Sequence, residues 1–185
     1  MLHLCREKCI SDDLKAHGIE DFPWPYEDAS FDFLYLKGKG TTSGAIMTEP
    51  TAFSTPIDVR FRDLDAMGHV NNAVFFTYFE EGRLAFFTSS SPGKKFPGFD
   101  FILAHISCDY LKPVTIDDRL MLQIQVGKIG GKSFTFDYAV CDRNDADVLY
   151  ATGNSVQVCY NYDREETMTV PADLNTLLRQ YIFER

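Results

Sequence analysis

Apolar residues along this chain follow two periodicities, and both become clear after residue 55. Residues 57–62 alternate between apolar and polar side chains, which is typical of a half-buried strand. Across residues 73–87 the period becomes helical, with one apolar stripe made of Phe75, Tyr78, Phe79, Gly82 and Phe86. A glycine inside a helix costs about 1 kcal/mol. We therefore expect the helix to approach a sheet closely at Gly82.

Further strand patterns and a terminal helix follow. Apolar and polar side chains alternate in three further runs, at residues 102–110, 120–126 and 134–140. Gly130-Gly131 predicts a hairpin between the last two runs. A charged turn at 142–147 then precedes a long strand at about 148–160. Helical spacing then recurs at Leu174, Leu177, Leu178 and Tyr181, with Pro171 near the start. The pattern predicts an α+β domain in which an antiparallel sheet of about five strands wraps around one long central helix.

Residues 1–50 have a different character from the rest of the chain. They contain a possible short helix at residues 12–17 with Ser11 as its cap, then turn-rich and glycine-rich stretches. We assign them no chemistry. The expected organisation is an N-terminal extension of unknown role over residues 1–50 and one folded domain over residues 51–185.

Composition and charge limit the classes of function. Hydrophobic residues make up 45% and charged residues 24% of the chain, which is the balance of a folded globular protein. The net charge of −9 argues against nucleic acid or an anionic membrane as a partner. We find no signal peptide and no apolar stretch long enough to cross a bilayer. Five cysteines without a Cys-x-x-Cys motif indicate reduced thiols in a cytoplasmic protein and no metal site.

The most informative segment is the run Asp-x-Asp-x-x-Gly-His-Val-Asn-Asn at residues 63–72, between the first strand and the helix. A carboxylate in such a turn can act as a base or a nucleophile, and the first N–H groups of the helix can stabilise an oxyanion. This combination suits acyl transfer. From spacing alone, Asp63 and Asp65 can equally be turn residues, and Asn71 or Asn72 can be the helix cap.

Residues 59–72 resemble the hotdog-fold thioesterases of the 4-hydroxybenzoyl-CoA thioesterase-like group. The similarity continues through residues 78–83 of the helix. Residues 109–114 and 131–134 look like the second strand and a later hairpin of that group. The resemblance covers roughly residues 55–160. It implies a hotdog fold and the hydrolysis of acyl thioesters, in a homodimer or homotetramer whose active sites lie at the dimer interface.

The resemblance also assigns roles to residues of the run. Asp65 matches the catalytic carboxylate, which acts as nucleophile or as general base for water, and the backbone N–H of Asn72 matches the group that polarises the thioester carbonyl. His69 and Asn71 would shape the pocket or orient water and thioester. Asp63 is interpreted as structural. Glu81 is a second candidate, because a related hotdog branch uses a helix Glu.

Other expectations concern neighbouring residues and the coenzyme. Glu80 and Glu81 are expected to be solvated or paired with Arg83, and His105 to be a partly buried strand residue. The expected anchors for coenzyme A are polar groups at strand ends and in the hairpin, namely Lys112, Lys128, Lys132, Ser133 and Arg143. Coenzyme A is part of the substrate, so no separate cofactor is expected.

The leading hypothesis is a cytoplasmic acyl-CoA thioesterase. Two alternatives stay open from the sequence. The first is an acyl carrier protein thioesterase, since plant-type members carry the same His-Val-Asn-Asn run, although they usually have a second hotdog unit. The second is an acyl-thioester binder without catalytic activity, since a fold does not fix a function.

Overall fold

The computed structural model of this chain describes residues 52–89 and 100–182. The predicted extension at residues 1–50, with its short helix at 12–17, lies outside these ranges. Within them, the elements in chain order are β1 (Phe53–Asp58), a short 3-10 turn (Phe61–Asp63), α1 (Val74–Ser89), β2 (Phe101–Tyr110), β3 (Arg119–Ile129), β4 (Ser133–Asp142), β5 (Leu149–Asn161), β6 (Glu166–Thr167) and α2 (Ala172–Arg179).

The strands form one antiparallel sheet in the order β1-β3-β4-β5-β2, and the two-residue β6 pairs with the end of β5. The predicted arrangement of about five strands with a long helix is confirmed, and so is the hairpin between β3 and β4. The terminal helix α2 is also confirmed, with Leu174 and Leu178 fully buried. No helix in the described ranges is both long and apolar enough to cross a bilayer.

The core lies between α1 and the inner face of the sheet. All five residues of the predicted stripe, Phe75, Tyr78, Phe79, Gly82 and Phe86, are buried. A Cβ on Gly82 would overlap the side chain of Leu122, so the close approach expected there is confirmed. Phe79 stacks on Tyr138 of β4, with ring centroids 4.4 Å apart and planes 13° apart.

A buried polar cluster accompanies this apolar core. Arg83 of α1 is only 9% exposed and donates a hydrogen bond to the Tyr138 hydroxyl at 3.0 Å. That hydroxyl lies 2.5 Å from Ser155 Oγ, to which Gln157 also donates at 2.6 Å. Burial raises the pKa of Tyr138, so the hydroxyl stays protonated. No carboxylate in the described ranges pairs with Arg83.

The first strand begins and ends four residues earlier than its alternating pattern predicts. β1 ends at Asp58, and Phe61, expected on the buried face, is 86% exposed. Asp58 pairs with Arg119, which is the first residue of β3, so the neighbouring strand offers no further ladder partner. The chain turns instead, because the Asp63 carboxylate accepts the Arg60 N–H at 2.9 Å. The strand prediction for residues 59–62 was wrong.

The alternation predicted for residues 102–110 also fails at one end of β2. A register shift between Leu103 and His105 inserts one extra residue into the pairing with β5. Phe101 therefore packs into the core, while Ile102 is 37% exposed. Beyond the bulge, Ile106 and Cys108 contact the core as predicted. His105 is half-buried, as expected of a strand residue, and burial lowers its pKa.

Candidate active site

The Asp65 carboxylate closes the loop that lies between β1 and α1. Its Oδ1 accepts the backbone N–H groups of Met67 at 2.8 Å and of His69 at 3.2 Å, and the Asp65 N–H donates to the His69 carbonyl at 2.7 Å. Gly68 takes a φ of 80°, the left-handed conformation that favours glycine. The second carboxylate oxygen accepts no hydrogen bond from any described residue. It is available to a substrate or a water molecule.

Asp63 attaches this loop to α1, in agreement with its predicted structural role. It is 6% exposed, and its Oδ2 accepts hydrogen bonds from the Arg60 N–H and from the Tyr78 hydroxyl, both at 2.9 Å. Its carbonyl accepts the Asn71 N–H at 2.8 Å. Burial and the contact with Asp63 raise the pKa of Tyr78, which therefore stays a hydrogen-bond donor. The carboxylate thus ties the loop to the helix.

Replacing Tyr78 by Phe removes one of the two hydrogen-bond donors of the buried Asp63 carboxylate and leaves the Arg60 N–H, with the Arg62 guanidinium 4.0 Å from Oδ1. We expect a loss of about 1–3 kcal/mol in the free energy of unfolding, measured by urea denaturation. Tyr162→Phe is the matched control, because that hydroxyl belongs to a side chain that is 58% exposed. Equal stability of the two variants would contradict a structural role for the Asp63 contact.

The acidic residues of α1 follow the prediction in part. Glu80 is exposed, as the solvated alternative predicted. Glu81 instead forms an ion pair with Arg60 at 2.8 Å, while Arg83 turns inward to Tyr138. The side chains of Arg60 and Glu81 are 44% and 34% exposed. We therefore regard their ion pair as a second, weaker contact between the loop and α1.

The start of α1 is capped by Asn71. Its side-chain Oδ1 accepts the Ala73 N–H at 2.9 Å, and its carbonyl accepts the Val74 N–H at 2.9 Å. The Asn72 N–H, which precedes these two, donates to no acceptor in the described part of the chain. This is the geometry of a helix start that leaves one N–H group for an anion or a polarised carbonyl.

Asp65 and Asn72 line the same cleft. Its volume is about 400 Å³, and its lining consists of Asp65, Val70, Asn72, Phe75, Tyr110, Leu111, Lys112, Pro113 and Val114. His69 and Asn71 do not line it: His69 closes the loop through its backbone, and Asn71 caps the helix. Their predicted catalytic roles stay predictions. The structure places Asp65 and Asn72 on one cleft.

Tyr110 is a cleft residue that sequence reasoning missed as a site residue. Its hydroxyl donates to the Asn72 carbonyl at 2.8 Å, and its ring meets Phe75 edge to face at 5.3 Å. Burial raises the pKa of Tyr110 to about 12, so its phenol is a proton donor at neutral pH. The available signal was its position next to Leu111-Lys112-Pro113, where the strand ends.

The predicted coenzyme anchors divide between two ends of the sheet. Lys112 lines the cleft, and its N–H donates to the Tyr150 carbonyl at 3.1 Å. Lys132 lies in the hairpin, where its carbonyl accepts the Cys159 N–H at 2.8 Å. These contacts are nine residues apart along β5, roughly 30 Å at the rise of a strand. Lys128 and Ser133 belong to the hairpin group.

Arg143 lies at the same end of the sheet as the cleft but already has protein partners. Its Nη2 contacts Asp58 Oδ1 at 3.0 Å, and its Nε donates to the Leu120 carbonyl at 3.3 Å. The guanidinium therefore joins β1 and β3. The anchor residues do not form one basic patch within a single chain. As for metals, no group of three His, Cys, Asp or Glu side chains in residues 52–89 and 100–182 is placed to hold an ion.

The chain is similar to a family of known proteins. A family model described as the Thioesterase-like superfamily matches residues 59–178. YsmA of Bacillus subtilis is 31% identical over 87 residues, covering 47% of this chain and 59% of the relative. A putative esterase of Aquifex aeolicus is 34% identical, covering 44% of this chain and 66% of the relative. The long-chain acyl-CoA thioesterase FadM of Escherichia coli is 25% identical, covering 69% of this chain and 98% of the relative. The chain thus spans less than two thirds of the length of the first two relatives.

Solved structures show the same architecture. A predicted thioesterase from Bacillus stearothermophilus superposes with a TM-score of 0.65 at 25% identity, covering 73% of this chain and 99% of that one. A Thermus thermophilus thioesterase, complexed with coenzyme A and Zn, gives a TM-score of 0.58 at 30% identity, with coverages of 68% and 96%. The fold is the predicted hotdog fold. With the match over residues 59–178, the chain belongs to the Thioesterase-like superfamily.

Proposed function

We propose that this protein hydrolyses acyl-CoA thioesters to a free acid and coenzyme A. The observation that carries the proposal is the shared cleft, which is lined by Asp65, whose carboxylate has one oxygen without a hydrogen-bond partner, and by Asn72, whose N–H has no acceptor among the described residues. A carboxylate and an oxyanion donor on one cavity are the minimal set for acyl transfer to water.

The chemistry follows from these two groups. The Asn72 N–H, at the positive end of α1, receives the charge that develops on the carbonyl oxygen when the carbon becomes tetrahedral. Asp65 either attacks the carbon, expelling the thiolate and forming a mixed anhydride that water then opens, or takes a proton from a water that attacks directly. Both routes consume one water and release one acid and one thiol.

The names of relatives support coenzyme A as the thiol. FadM is a long-chain acyl-CoA thioesterase, and a relative from Nostoc punctiforme, 30% identical over 123 residues, is a 1,4-dihydroxy-2-naphthoyl-CoA hydrolase. The Thermus thermophilus thioesterase was solved with coenzyme A. FadM and the Nostoc punctiforme hydrolase are named for different acyl groups, so the relatives favour the CoA ester as a class and leave the acyl group open. The reaction needs no separate cofactor.

The oligomer and the coenzyme anchors form part of the same proposal. β2 is the longer of the two edge strands of the described sheet, and two such edges would pair to continue the sheet across a homodimer, with a homotetramer as the larger assembly. Lys112 would hold the coenzyme bound in its own cleft. The hairpin group of Lys128, Lys132 and Ser133 is distant from that cleft. It would therefore contact the coenzyme bound in the cleft of a second copy of the chain. We place the protein in the cytoplasm.

Product analysis tests the proposal. The native protein is incubated with short, long and aromatic acyl-CoA esters and, in parallel, with an acyl carrier protein ester, and the acid and the thiol are quantified by mass spectrometry. We expect equimolar acid and coenzyme A. Turnover of the carrier-protein ester alone would favour that alternative. Tight binding of acyl-CoA without any product would favour a binding role.

A further inference from the structure

A tight turn leads into α1, which begins at Val74 and so leaves Asn72 just before the helix. Val74 donates to the Asn71 carbonyl at 2.9 Å, and Phe76 donates to the Ala73 carbonyl at 3.3 Å, both three residues back. In the described part of the chain, the Asn72 carbonyl accepts no backbone N–H and instead accepts the Tyr110 hydroxyl at 2.8 Å.

We propose that Tyr110 is a positioning residue for the oxyanion site: its hydroxyl fixes the second of the two peptide planes that flank Asn72, and so holds the Asn72 N–H in place at the cleft. The inference rests on the proposed function. The Asn72 N–H shares a peptide plane with the Asn71 carbonyl, which accepts the Val74 N–H, while the Asn72 carbonyl lies in the next plane and accepts the Tyr110 hydroxyl. With both planes held, the direction of the N–H between them is fixed.

Tyr110 is 45% exposed and is held by its strand pairing and by a ring contact. It is the last residue of β2, paired with Ala151 of β5, and its ring meets Phe75 edge to face at 5.3 Å. Phe75 lies in the same first turn of α1, so the ring and the hydroxyl of Tyr110 contact this turn at two points. The hydroxyl is used by the protein, while the ring lines the cleft. The acyl group would therefore contact the ring and leave the hydrogen bond from Tyr110 to Asn72 intact.

The test is Tyr110→Phe, which keeps the ring and removes only the hydroxyl. We expect kcat for the best acyl-CoA to fall about 3–10-fold, the worth of one hydrogen bond, with little change in KM, because the oxyanion donor acts in the transition state. The thermal midpoint is recorded in parallel. Tyr162→Phe is the matched control, since its hydroxyl contacts the Phe101 carbonyl at the opposite end of β2.

A second readout separates positioning from mere stability. In the Asp65→Asn background, the carbonyl stretch of the bound ester, labelled with ¹³C at the thioester carbon, should shift to lower frequency when the Asn72 N–H polarises it. Adding Tyr110→Phe should move the band back toward its value in solution. A variant that only loses stability would leave the band unchanged.

The outcomes are distinguishable. If the native protein turns over no ester, the proposed function is wrong, and the role of Tyr110 in that reaction is overturned with it. If the native protein is active and Tyr110→Phe matches it in kcat and in the carbonyl band, the inference alone is overturned. A fall in kcat, together with a shift of the carbonyl band toward its value in solution, establishes that Tyr110 positions the oxyanion site.

Discussion

Asp65→Asn is expected to lower kcat for acyl-CoA hydrolysis by about 10²–10⁴-fold, the usual contribution of a catalytic acid–base or nucleophilic group. The amide is a poor nucleophile and a poor base, so either route through the carboxylate is blocked. The substitution retains an Oδ1 acceptor for the N–H groups of Met67 and His69, which close the loop. The loss should therefore appear in turnover, with the thermal midpoint close to that of the native protein.

Glu81→Gln provides the comparison for this prediction, because Glu81 is the other carboxylate considered from the sequence. In the structure it pairs with Arg60 and is absent from the cleft lining. We expect that variant to retain most of the native kcat. A large loss in Glu81→Gln together with near-native turnover in Asp65→Asn would transfer the catalytic role to the helix.

Gly153→Ala is expected to give the largest loss of stability, about 3 kcal/mol, at the upper end of the usual cost of overpacking. A Cβ at this position would lie 2.6 Å from the Phe79 ring and 2.6 Å from the backbone oxygen of Ser107. Neither neighbour can move easily, because Phe79 is stacked on Tyr138 and Ser107 is held in the β2–β5 ladder. Urea denaturation measures the change.

Gly131→Ala is the control for this substitution. An added Cβ on Gly131 would meet no atom within 4 Å, and the residue has no positive φ. We expect its free energy of unfolding to change by less than about 0.5 kcal/mol. Equal stabilities of the two alanine variants would show that the packing between α1 and β5 is looser than described.

The elements predicted well from the sequence were those fixed by local periodicity. The stripe from Phe75 to Phe86 repeats at the helical period, and each of its members is buried. Gly82 was informative because a glycine on a buried stripe is costly unless another element approaches. The motif at residues 63–72 located the loop and the helix start because turn and capping chemistry depends on neighbouring residues.

Predictions from the sequence failed where the position of a residue depends on a strand that is distant in the chain. Phe61 is exposed because β3 begins at Arg119 and provides no partner beyond Asp58. Ile102 leaves the core because a bulge opposite β5 shifts the register. The bond from Tyr110 to Asn72 joins residues 38 apart in the chain. No local pattern contains these pairings, so they become visible only when the sheet is assembled.

Only part of the candidate site could be predicted from the sequence, for the same reason. The motif indicated Asp65 and Asn72, and the structure places both on one cleft. The coenzyme anchors were chosen as basic groups near strand ends, without knowledge of which ends meet. Lys112 and Lys132 lie at opposite ends of β5, so a coenzyme bound within one chain can use only one of them.

The most direct measurement of the central claim is the rate of free-thiol release from acyl-CoA by the native protein, compared with Asp65→Asn at the same concentration. The account predicts saturable thiol release by the native protein and a rate near background for the variant, which remains folded and still binds the ester. Equal rates for the two proteins would contradict the assignment of the chemistry to Asp65 and its cleft.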